Sequence, residues 1–156
     1  MSALTPGKKA PAFSLADTKG KERSLQDWLA RGQTLVAFFK VSCPTCQYTF
    51  PFLERLNGSP VNLVGISQDD DSKTEDFNRQ FGVRFPVLLD EAGRDYPTSN
   101  AFGITNVPTL FLVEPDGRIS LTSVGFVKAD LEEIARRTGA KTLFHRDEKI
   151  EAFRAG

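Results

Sequence analysis

The stretch Leu35-Val36-Ala37-Phe38-Phe39-Lys40-Val41-Ser42-Cys43-Pro44-Thr45-Cys46 decides how the rest of this 156-residue chain is read. Its first half is a continuous apolar and aromatic run, from Thr34 to Val41, that suits a strand covered on both faces. Its second half holds the only two cysteines in the chain. Pro44 fits the first position of a helix, where a fixed φ and a missing N–H cost nothing. Cys43 then falls at the N-cap and Cys46 one turn on, close enough to close a disulfide. A helix N-terminus favours negative charge, and a thiol becomes a nucleophile only as the thiolate. The pair is placed for redox chemistry, with Cys43 attacking and Cys46 resolving.

Working outward, Pro11 to Leu15, a turn at Gly20 and Arg23 to Leu25 read as a short N-terminal hairpin. Ser24 caps a brief helix through Trp28 and Leu29 that Gly32 ends. After Pro44, Phe50, Leu53 and Leu56 fall at helical spacing, Pro51 interrupts the backbone ladder, and Asn57-Gly58 closes the helix. Val61 to Ser67 is a second buried strand. Ser72 or Asp71 caps a helix to about Phe81, with Phe77 and Phe81 on one side, and Gly82 stops it. Phe85 to Leu89 is short and extended, and Tyr96 to Phe102 forms a small helix. Thr109 to Val113 and Arg118 to Thr122 flank the turn Glu114-Pro115-Asp116-Gly117. Ala129 to Arg137 is helical, ended by Gly139. Alternation of strands and helices followed by a hairpin and a last helix implies a mixed sheet with helices on both faces.

The chain is long enough for one domain with a full core, and it needs no disulfide to hold it together. The expected domain spans residues 1–156, with a core at about 6–138 and a C-terminal extension, 139–156, docked on it as a helix or left as a tail. Twenty basic and twenty acidic residues cancel, which gives no footprint for nucleic acid or an anionic membrane. No run is long enough to span a bilayer, and the N-terminus lacks the apolar segment of a secretory signal. The expected compartment is the cytoplasm. There a lone Cys-x-x-Cys is catalytic or metal-binding rather than structural. A structural zinc site wants four ligands. Only His145 could join the cysteines, from about a hundred residues away, so no metal and no cofactor is expected.

Three further positions carry chemistry beside a plainer reading. Pro108 opens a strand and lacks an N–H, which puts it at a turn or edge; from base frequencies its peptide bond is expected to be trans. Lys40, near the strand end, either favours the Cys43 thiolate or simply faces solvent. The Thr45 hydroxyl either donates to that thiolate or satisfies the first helical turn. The acidic run Asp69-Asp70-Asp71 serves a loop and a helix N-terminus.

Ala10-Pro11-Ala12-Phe13-Ser14-Leu15, the strand and dithiol of residues 35–46, Phe50-Pro51, Phe85 to Asp90 and Val107-Pro108-Thr109 through Arg118 occur in one order. Together they resemble the thioredoxin-like superfamily, in its redoxin (alkyl hydroperoxide reductase/thiol-specific antioxidant) and thiol–disulfide oxidoreductase branch, over residues 6 to 138. The resemblance implies a thioredoxin-like α/β fold, a central mixed sheet flanked by helices with an N-terminal hairpin extension. It also implies a cis Pro108 facing the dithiol, and a Val107 backbone that binds an extended substrate by strand addition. Partners would be a disulfide-containing protein or small molecule and a reductase or thiol donor for recycling. Departures are specific. Thioredoxin's Gly-Pro between the cysteines is Pro44-Thr45, its buried acid is Ala37, and the Glu of the oxidoreductase branch is Thr49. Peroxiredoxins carry Pro and Thr where this chain has Val36 and Lys40. The resemblance therefore implies a disulfide reductase first, and a thiol peroxidase with Cys43 peroxidatic and Cys46 resolving second.

Overall fold

The structure, a computed structural model, describes residues 2–156. Thr34–Phe39 forms strand β3, preceded by the hairpin β1 (Ser14–Ala16) and β2 (Glu22–Ser24) and by helix α1 (Leu25–Leu29). There follow α2 (Pro44–Glu54), β4 (Asn62–Ser67), α3 (Asp71–Phe81), β5 (Val87–Leu89) and α4 (Pro97–Ala101). The chain then runs through β6 (Thr109–Val113), β7 (Ile119–Val124), β8 (Phe126–Val127), α5 (Lys128–Arg137) and β9 (Phe153–Arg154). Five strands make the central sheet in the order β5-β4-β3-β6-β7. β3 runs parallel to β4 and antiparallel to β6, so the sheet is mixed.

β3 is central, and all six of its residues are buried. Alternate side chains therefore enter two separate cores. Leu35, Ala37 and Phe39 join α2, α3 and α5 on one face, where Phe39, Phe50 and Phe77 pack ring against ring at 4.3 to 5.6 Å. Val36 and Phe38 face Trp28 of α1, Phe13 and Phe102 on the other. Both crossovers β3-α2-β4 and β4-α3-β5 step in the same direction across the sheet, and a shared handedness puts α2 and α3 on the same side.

Local signals place most of the ends. Ser24 caps α1 by accepting from the Asp27 amide at 3.3 Å. Gly82 ends α3 at φ 69°, a left-handed conformation that suits glycine at this position. The cap of α3 is Asp70, not the expected Ser72 or Asp71, because its carboxylate reaches the Lys73 amide at 2.8 Å. The other two acids are also engaged with backbone: Asp69 accepts from Val41 N and Asp71 from Ser72 N. Among the described residues no His, Cys, Asp and Glu cluster is arranged to hold a metal ion. No helix among them is long and apolar enough to cross a membrane.

The extension after Gly139 docks on the domain, and it does so without a helix. Leu143 and Phe144 are buried, and Phe153–Arg154 pairs antiparallel with Phe126–Val127. Charged residues interleaved with apolar ones at irregular spacing give no continuous apolar stripe for a helix to bury, so backbone pairing to a distant strand decides the conformation.

Candidate active site

The site is built where β3 ends. The Lys40 carbonyl accepts from the Cys43 amide at 3.2 Å, turning the chain so that α2 starts at Pro44. Cys43 is the N-cap residue, and its sulfur accepts from the Cys46 amide at 3.1 Å. A capping position is normally filled by Ser, Thr, Asp or Asn, whose oxygen accepts that bond. Here a sulfur takes the role, and both cysteines are free thiols.

Their environments differ sharply. Cys43 is partly exposed, whereas Cys46 has no exposure and belongs to the core beside Phe39 and Phe50. The Cys43 thiol is lowered from its ordinary 9.0 to about 6, first by the hydrogen bond from the Cys46 side chain. Amides of Cys46 and Thr45 and the positive charge of Arg154 lower it further, against the opposing effect of burial. Burial pushes the Cys46 thiol strongly upward, and the adjacent Cys43 sulfur raises it again. The exposed sulfur is thus an anion near neutral pH, and the buried one keeps its proton.

The β6 side completes the site. The Val107–Pro108 peptide bond is cis, as the family resemblance implies and contrary to the expectation from base frequencies. The Val107 carbonyl oxygen lies 3.5 Å from Cys43 Sγ. Cys43, Cys46, Val107 and Pro108 are therefore brought together.

Two expected tuners sit differently. The Lys40 side chain is exposed, and its contribution at the site is the backbone carbonyl already described. The Thr45 amide, not its hydroxyl, supports the Cys43 sulfur; the hydroxyl donates to the Ala155 carbonyl at 2.6 Å. The cation that bears on Cys43 is Arg154, whose guanidinium stacks 4.7 Å from the Tyr48 ring centroid. Sequence reasoning missed it, since it reaches the site from over a hundred residues away and no local pattern marks it.

Residues 6–122 match the AhpC/TSA family model. The chain belongs to the AhpC/TSA family. Thiol-disulfide oxidoreductase ResA of Bacillus thuringiensis subsp. konkukian (strain 97-27) is 28% identical over 137 residues, covering 84% of this chain and 77% of that protein. A protein of Mycobacterium tuberculosis (strain CDC 1551 / Oshkosh) described as a peroxiredoxin is 34% identical over 131 residues, covering 74% and 82%. Among solved structures, one described as a thiol:disulfide interchange protein DsbE from Chlorobium tepidum superposes with a TM-score of 0.74 at 26% identity, covering 86% of this chain and 96% of that one. The fold is thioredoxin-like, with the mixed five-stranded sheet, flanking helices and N-terminal hairpin in place.

Proposed function

We propose that this AhpC/TSA-family oxidoreductase works as a thiol–disulfide reductant through Cys43 and Cys46. The observation that carries the reading is the division of labour between the sulfurs: one accessible and ionised near pH 6, the other sealed behind it and protonated. Cys43 thiolate attacks one sulfur of a substrate disulfide, forming a mixed disulfide and releasing one substrate thiolate. Cys46 then loses its proton, and its sulfur attacks Cys43 Sγ. The Cys43–Cys46 disulfide forms and the second substrate thiolate leaves with the proton, so the substrate gains two electrons and the protein loses two. Val107 and Pro108 flank the attacking sulfur. A reducing, cytoplasmic setting and an external thiol donor or reductase would return the dithiol to its active form.

The test is single-turnover mixing of the reduced protein with a model disulfide and, separately, with hydrogen peroxide. Stoichiometric loss of two thiols to the disulfide, with a Cys46→Ser variant retained as a mixed disulfide on Cys43, is the expected result. Mixed disulfides accumulating in the Cys43→Ser variant instead would reverse the assignment of roles.

A second reading, thiol peroxidase, is favoured by the relative described as a peroxiredoxin. There Cys43 would become a sulfenic acid, and Cys46 would condense with it, releasing water. Val36 is buried inside β3 and Lys40 points to solvent, so neither supplies the hydroxyl that the peroxiredoxin pattern has at position 40. Rapid peroxide turnover with inert disulfides would make this reading the correct one.

A further inference from the structure

Thr45, Tyr48 and Phe52 of helix α2 and its C-cap residue Arg55 follow at intervals of three and four residues, a single stripe along one side. The C-terminal extension lies along that stripe in the reverse direction. Arg55 clamps Glu148 through two 2.7 Å hydrogen bonds and donates to the Leu143 carbonyl at 3.0 Å. Phe52 meets Phe144 edge-on at 5.1 Å. Tyr48 accepts from the Glu151 amide at 3.4 Å and carries Arg154 over its ring. Thr45 ends the series on the Ala155 carbonyl.

The last contact reaches the substrate side of the site. Gly156 sits so close to Val107 that a Cβ on it would clash with the Val107 carbonyl oxygen and lie 2.8 Å from its carbon. The Lys128 amide donates to the Ala152 carbonyl, which makes residues 126 and 154 the next hydrogen-bonded pair of the short ladder. The extension therefore fills the backbone position beside Val107 that an incoming peptide strand would need, while Cys43 itself keeps partial exposure.

We infer that residues 153–156 are a specificity element: they exclude extended polypeptide from the Val107 edge and leave Cys43 open to low-molecular-weight disulfides. This rests on the disulfide-exchange reading above. A small disulfide needs only a path to Cys43 Sγ; a polypeptide must first wait for the strap to leave, and its rate is reduced by the fraction of molecules in which the strap is open.

The experiment uses the full chain, reduced, at pH 8, above the Cys43 value of about 6, for which the Arg154 charge is the last of the causes. Oxidised glutathione and a disulfide-bonded ten-residue peptide are compared in single-turnover mixing. Gly156→Val forces its side chain against the Val107 carbonyl, and Arg154→Pro removes the N–H that residue 154 offers to Phe126. Release of the strap is read independently as faster hydrogen exchange at the Lys128 amide. With the strap released, the peptide rate is expected to rise about tenfold or more while the glutathione rate of Gly156→Val stays within about threefold. An unchanged ratio of the two rates, with Lys128 exchanging faster, overturns the inference and leaves the oxidoreductase reading intact. A wild-type protein that oxidises with neither disulfide overturns the underlying reading itself.

Discussion

On one face of the central sheet, Leu35, Ala37 and Phe39 look toward α2, the buried Cys46 and the C-terminal strap; on the other, Val36 and Phe38 look toward α1, Phe13 and Phe102. Both faces are aromatic and closed to water, and both derive from the same strand by simple alternation. Their difference lies in what each face meets where β3 ends. The first face supports the N-terminus of a helix whose Cys46 amide donates to the Cys43 sulfur. The second face carries the hairpin and two short helices, and its aromatic rings pack against one another and against aliphatic side chains such as Leu25, Ile66 and Leu88. Burial on the first face acts on chemistry as well as stability, because Cys46 is part of that core. The second face holds neither sulfur, and it meets the site only where Val107 packs against it.

The largest effect that tests this separation is at Cys43. Cys43→Ser should bring disulfide reduction down to the rate of a no-protein control, measured by thiol release, because a hydroxyl is not ionised at neutral pH. Next is Cys46→Ala. It removes the leading cause of the low Cys43 pKa, so the pH midpoint for iodoacetamide alkylation should move from about 6 toward the ordinary 9.0. The sign is fixed by the mechanism: only the thiolate alkylates, so the wild-type rate falls about tenfold per unit as pH drops below the midpoint. A midpoint that stays near 6 would show that the amides and the Arg154 charge set the acidity without the Cys46 thiol.

On the other face, Phe102→Ala deletes a fully buried ring packed against Phe13, Phe38 and Phe111. It should lower stability by about 3–5 kcal/mol in denaturant unfolding. The alkylation midpoint should not move. A midpoint that did shift would mean that the two cores are coupled through β3. The smallest expected effect belongs to Arg154→Ala, which should move the midpoint slightly upward, since its charge is the last of the influences that lower Cys43. The shift should shrink further at high salt, which screens exposed charge.

Much of this arrangement is legible in the residues. Thr34 to Phe39 announces a strand buried on both sides, and Cys43 with Pro44 announces the helix start, because each is a short-range consequence of chain geometry. Gly82, Gly139 and the turn Glu114 to Gly117 mark ends for the same reason. What escapes is the long-range part. The partner of the Thr45 hydroxyl is Ala155, and the cation near Cys43 is Arg154; nothing around residues 40–46 points to either. A two-residue strand such as Phe153–Arg154 has no periodicity to read, and its pairing partner, Phe126–Val127, lies far away in sequence. The Asp70 cap shows the limit at short range too: three consecutive aspartates offer the same group at adjacent positions, and only the backbone turn chooses among them.

The zero exposure of Cys46 has a consequence for sequence of events rather than for rate. Nothing arriving from solution can touch that sulfur, so every encounter must be written first on Cys43. Depth, and not relative affinity, sets which of the two atoms meets solvent first, and it also shields the Cys46 sulfur from oxidants in solution.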